Sequence, residues 1–108
     1  MSVNMVVLTG RLTADPELKY TQTGKALVRF ALAVNRRYNR DETDFINVTA
    51  WDKKAELASQ YLHKGSLIAV TGSIRVRSYD DSEGIRRKST EVLVENLEFL
   101  DSKKSDSR

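Results

Sequence analysis

The stretch Asp44-Phe45-Ile46-Asn47-Val48-Thr49-Ala50-Trp51 constrains this chain more than any other. It alternates with period two, the pattern of a strand that buries one face. Ile46, Val48 and Ala50 fall on the side that can bury. Phe45 and Trp51 fall on the other side, beside the polar Asn47 and Thr49. A core position for Trp51 is the competing reading, because tryptophan is highly buried on average. Its parity places it outward. Two large rings on a half-polar face suit a partner that is flat and apolar on its faces and polar at its edges.

A second segment repeats the arrangement. From Ile68 to Tyr79 the even positions Ile68, Val70, Ile74 and Val76 form an apolar face, and the odd positions end in Arg75, Arg77 and Tyr79. Guanidiniums for phosphates beside rings for nucleobases are the chemistry of single-stranded nucleic-acid binding. One such strand is weak testimony, since single exposed aromatics are common. Two in one small chain point the same way.

The 108 residues suffice for one core and one domain, and the apolar fraction of 40% supports it. Without cysteine there is neither a disulfide framework nor a thiolate metal site, so packing must supply the stability. No basic leader and no apolar run of membrane-spanning length is present, and the expectation is a soluble, cytoplasmic protein. The net charge of +3 says little about partners. The placement of Arg36, Arg37 and Arg40 around Tyr38 says more.

Alternation predicts strands over Val3–Leu12, Lys25–Arg36, Asp44–Trp51, Leu67–Tyr79 and Arg86–Leu100, with Leu18–Thr21 extended. Ala14-Asp15-Pro16-Glu17, Thr23-Gly24 and Asp80 to Gly84 read as turns. Leu57, Ala58, Tyr61 and Leu62 follow helical spacing, with Asp52 as the cap and Gly65 as the stop. On this reading Tyr61, Phe30 and Phe99 are core residues and Tyr20 is structural. The apolar register of the last strand shifts from Val92 and Val94 to Leu97 and Phe99, which calls for a bulge near Asn96. Residues 1–100 then make one domain, and Asp101 to Arg108 a short disordered tail. The order is all-β, a five-stranded OB-fold barrel with one short α-helix between strands three and four. Phe45, Trp51 and Arg29 fall on its second and third strands, the binding face of that fold.

Five segments carry a closer resemblance. They are Leu8-Thr9-Gly10-Arg11-Leu12, Asp15 to Thr21, Phe30 to Arg36, Tyr61-Leu62-His63-Lys64-Gly65-Ser66 and Thr90-Glu91-Val92. In this order and spacing the chain up to Leu100 resembles the bacterial single-stranded DNA-binding proteins. The resemblance implies base stacking on Tyr38, Phe45, Trp51 and Tyr79. It makes Arg11, Lys19, Arg29, Arg36, Arg37, Lys53, Lys64, Arg75, Arg77 and Arg86 candidates for phosphate contacts, with affinity falling as salt rises. It further implies a homotetramer and roles in DNA replication, repair and recombination at the nucleoid.

Three departures stand out. Met5 occupies a position that is often basic in the family, and the loop Arg37 to Thr43 is shorter than in many members. The ending Lys103 to Arg108 has no acidic tip, so recruitment of replication and repair enzymes through such a tip is not expected.

No nucleophile with a base, phosphate-cradling loop or cofactor motif appears, so neither catalysis nor a cofactor is expected. The lone His63 near a helix end suits the dipole, not a metal. Two other readings stay open: a replication-restart or competence-type accessory barrel acting mainly through protein partners, and an RNA-binding barrel.

Overall fold

Every alternating segment becomes a strand, because side chains that are apolar at each second position bury only on a pleated surface. The computed structural model describes residues 2–101. Its elements are β1 (Val6–Leu12), β2 (Glu17–Tyr20), β3 (Ala26–Asn35), β4 (Thr43–Trp51), α1 (Asp52–Tyr61), β5 (Leu67–Asp80) and β6 (Arg86–Phe99). They form one sheet in the order β1-β5-β6-β4-β3-β2, and β1 also pairs with β3 at Arg11↔Ala33 and Leu12↔Leu32. The strands β1, β5, β6, β4 and β3 thereby close a ring, which is the five-stranded barrel the sequence predicts. The short β2 runs along the length of β3 that β1 leaves free, from Glu17↔Arg29 to Tyr20↔Ala26.

Inside the ring lie Val28, Leu32, Val48, Ala50, Ile68 and Val70, all fully buried. Ala55 and Ala58 press α1 onto this core, their small side chains allowing close approach. Two glycines let backbones meet. A Cβ on Gly10 would run into the carbonyl oxygen of Ala33, and one on Gly72 into that of Leu93. At Thr71/Gly72 the pairing with β6 shifts, with Thr71 opposite Asn96 and Gly72 opposite Val94. Glu95 is the extra residue. The bulge falls beside the expected position and explains why the inward register of β6 changes there.

Several expectations need correction. β1 begins at Val6, not Val3; ahead of it the Asn4 side chain takes the place of a strand residue. Its Nδ2 donates to the Ile74 carbonyl and its Oδ1 accepts from the Ile74 amide, at 2.9 and 2.8 Å. Asp52 does not cap α1 with its side chain: the N-cap is Trp51, and Asp52 is the first helical residue, at φ +57°. An aspartate tolerates that left-handed conformation better than most residues. Gly65 lies beyond the helix end, in the turn whose amide donates to the Leu12 carbonyl.

Tyr61 and Phe99 are not core. Each is about half exposed, and their rings meet at 5.9 Å outside the barrel. Tyr20 is exposed, as are Leu57, Ile74 and Val76. The last two lie where the β5–β6 hairpin runs past the ring and loses its cover. Thr49, placed outward by parity, is buried under neighbouring side chains. The segment expected to be a disordered tail lies, from residue 102 onward, outside the described residues.

Candidate nucleic-acid interface

Register brings the outward residues of four strands onto one continuous face. Leu27 pairs with Trp51, Arg29 with Thr49, Ala31 with Asn47 and Ala33 with Phe45 across β3 and β4. Thr49 lies beside Leu93 on β6, and β6 in turn sets Glu91 opposite Arg75, Ser89 opposite Arg77 and Arg87 opposite Tyr79. Lys19 on β2 joins the same face opposite Leu27.

Two adjoining depressions, of about 350 and 670 Å³, lie along this face and share Arg29, Arg77 and Glu91. Asn47 and Thr49 line the smaller one, while Lys25, Trp51, Arg75 and the hydroxyls of Thr21 and Thr23 line the larger. Both are open troughs lined by mixed polar and apolar groups, the form a flexible chain can lie along. Phe45 sits six residues from Trp51 on the same strand, about 20 Å away at strand rise. It borders a third depression of about 480 Å³ with Arg11, Ala33 and Asn35.

The rings are placed as expected for outward groups. Tyr38 is 89% exposed and Phe45 67%, while Trp51 is partly covered. Three rings carry a cation. Lys25 Nζ lies 5.7 Å from the Trp51 ring centre, Arg37 Cζ 5.2 Å from that of Tyr38, and Arg77 Cζ 5.5 Å from that of Tyr79. Each is in cation–π range. Each pair sets a stacking surface next to a charge that a phosphate could meet.

The candidate cations divide by their partners. Arg36 is held by Glu42 at 3.0 Å and Asp44 at 3.1 Å. The hydrogen bonds that Arg36 donates to Asp44, and then the charge of that carboxylate, push the Arg36 guanidinium still higher in pKa. Arg11 donates to the Gly65 carbonyl and lies 3.6 Å from Asp101, fastening β1 to the turn ahead of β5. Arg86 pairs with Asp80 at 3.1 Å across the hairpin end. Lys19 lies 3.8 Å from Glu17, and Arg29 4.0 Å from Glu91.

Among the described residues no ion pair involves Arg37, Lys53, Lys64, Arg75 or Arg77. Lys19, Arg29, Arg75 and Arg77 meet Trp51 and Tyr79 on the shared face. Tyr38, Arg36 and Arg37 ride on the loop between β3 and β4. Lys53 leaves the first turn of α1, and Lys64 lies in the turn where its amide donates to Asp15 Oδ1 at 2.7 Å. Arg86 stays at the hairpin tip.

Sequence reasoning missed Lys25, Thr21, Thr23 and Glu91 as groove residues. Only the register could reveal them, because their places depend on which residue of a neighbouring strand each one meets. Among the described residues no cluster of three or more His, Cys, Asp or Glu could hold a metal. No helix there is long and apolar enough to cross a membrane.

Comparison with known proteins agrees with this geometry. The pattern of the single-strand binding protein family matches residues 3–100. The single-stranded DNA-binding protein of Halalkalibacterium halodurans is 50% identical over 98% of this chain, and that of Clostridium perfringens 48% over 98%. The chain spans 66% of the first relative's length and 71% of the second's. A crystal structure of a deletion variant of the single-stranded DNA binding protein from Thermus aquaticus superposes on 93% of the chain. The TM-score is 0.76 at 38% identity, and the match covers 42% of that protein. The OB-fold face, its paired rings and cations and these relatives together place the chain in the single-strand binding protein family.

Proposed function

We propose that this chain binds single-stranded DNA with little sequence preference and without catalysis. It shields the strand and keeps it unpaired during replication, repair and recombination at the nucleoid, in the cytoplasm. The observation that supports this best is the single outward face that joins Trp51, Tyr79, Lys19, Lys25, Arg29, Arg75 and Arg77 over two adjoining troughs.

Bases stack on Tyr38, Phe45, Trp51 and Tyr79, and the sequence tolerance follows because every base has a π-face. Phosphates meet the cations of the shared face together with Arg37, and Arg11, Arg36, Lys53, Lys64 and Arg86 lie at the margins. Residues 1–100 form the binding domain. The chain assembles as a homotetramer. Val3 and Met5 ahead of β1 and Val7 within it stand exposed, and the far edge of β1 is unpaired with β3 before Arg11. An apolar, half-open strand of this kind is a surface that a second copy covers.

Trp51 is the only tryptophan, so its fluorescence reports the site directly. Titration with a long oligo-dT at low and moderate salt should quench it strongly, with affinity falling as salt rises. Tight binding without quenching would move the site off this face. Absent binding at both salts would favour an accessory barrel that acts through protein partners and remains a dimer. Preference for a matched RNA oligomer would favour an RNA-binding barrel. Light scattering on the eluted protein should give four times the mass of one chain; a dimer mass would reject the tetramer.

A further inference from the structure

An acid at the centre of a surface for a polyanion requires a physical reason. Glu91 lies on the wall shared by the two depressions, and it is the one carboxylate among the described residues that line them. It faces the cation Arg75 across the β5–β6 pair, with Arg29 on β3, Arg77 on β5 and the Thr49 hydroxyl on β4 around it. Its side chain is 12% exposed. Oε1 accepts a 2.9 Å hydrogen bond from Thr49 Oγ1 and lies 4.0 Å from Arg29 Nε. Thr49 is 1% exposed, so the carboxylate is anchored to a buried hydroxyl and held in the trough.

Without this anion, the Arg29 guanidinium on the floor would draw a phosphate down to the sheet and turn the bases toward water. Stacking on Trp51 needs the opposite orientation. We propose that Glu91 is a positioning residue: it offsets the charge of Arg29 and keeps phosphates off the floor, so the strand crosses this point with a base against the sheet. Arg75 and Arg77, farther out on the hairpin, hold the flanking phosphates. The inference rests on the reading of this face as a site for single-stranded DNA.

Glu91→Gln keeps the shape and the acceptor for Thr49 while removing the charge. On a single strand each neutralised phosphate contributes about 0.7 to the slope of log affinity against log salt. The variant should therefore steepen that slope by about 0.7, as the floor gains a phosphate contact. Saturating quenching of Trp51 by oligo-dT should fall in the same variant. An unchanged slope, or unchanged quenching, overturns the proposal. Thr49→Val frees the carboxylate without altering the charge. It should lower the quenching and steepen the slope, each by less than in Glu91→Gln, and undiminished quenching there also overturns the proposal, even where Glu91→Gln proves too unstable to assay. Failure of the parent itself to bind oligo-dT would condemn the underlying functional reading instead.

Discussion

Trp51 serves two structures at one backbone position. It ends β4 and, at φ −122° and ψ 155°, is the residue from which α1 starts, so its extended backbone is fixed on both sides. A ring mounted that firmly loses little freedom when a base lies on it. Replacing Trp51 or Phe45 by alanine should weaken binding to oligo-dT by roughly 1–3 kcal/mol each, measured by anisotropy with a labelled strand. That magnitude is general to stacking proteins of this class, this family included, and is not a value obtained from this chain. A loss below tenths of a kilocalorie at both positions would argue that neither ring stacks.

At the hairpin tip, Asp81 accepts from Arg87 Nε and from the amides of Ile85 and Glu83, each at 2.9 Å. The Arg87 hydrogen bond foremost, then that of Ile85, holds its carboxyl below the usual aspartate range. A carboxyl depressed in the folded state stabilises above its unfolded pKa, and that contribution is lost as pH falls through the folded value. Carboxyl NMR titration should therefore show Asp81 protonating at lower pH than an unperturbed aspartate. Asp81→Asn should remove the acid-linked loosening of the turn around Ile85.

Among the elements, β3 and β4 were the most legible in the sequence, because both have one buried face and one wet face along most of their length. Parity then places Arg29, Phe45 and Trp51 correctly. It fails for Thr49, since a small outward residue becomes buried when longer neighbours such as Glu91, which accepts its hydroxyl, stand over it. It fails again for Ile74 and Val76, whose alternation is intact while the ring that would cover them has ended. Tyr61 and Phe99 mislead for a related reason: helical or strand spacing gives a direction, and only the tertiary arrangement says whether anything lies there.

The glycines of the ring were legible as bends, but not the atoms they admit. Gly10→Ala should drive β1 away from the Ala33 carbonyl and destabilise the fold by about 1–3 kcal/mol in chemical denaturation. Gly72→Ala, against Leu93, should do the same. A loss near zero at both would show that the strands can part there without penalty.

For the molecule as a whole, the fold class was readable because strand periods, one helical period and their order admit few closed arrangements. The candidate face was readable in the kinds of side chain it carries and less so in which of them it brings together. Arg36, Arg11 and Arg86 are basic in sequence, yet in space they are drawn into holding a loop, a strand and a hairpin end. Lys25 had no distinguishing neighbour until the β3–β4 register set it over Trp51.

The β5–β6 hairpin gives the molecule two mechanical regimes. Trp51 and Arg29 belong to a closed ring braced on all sides, whereas Arg77 and Tyr79 stand on a two-stranded ribbon exposed from Ile74 to Asp80. A ribbon without cover bends far more easily than a closed sheet. The trough therefore has one rigid bank and one elastic bank, and its width adjusts to its occupant as a sprung jaw does to the thickness of what it grips. In the proposed function, purines and pyrimidines of unequal size then meet similar resistance, and indifference to sequence becomes a property of elasticity as well as of stacking.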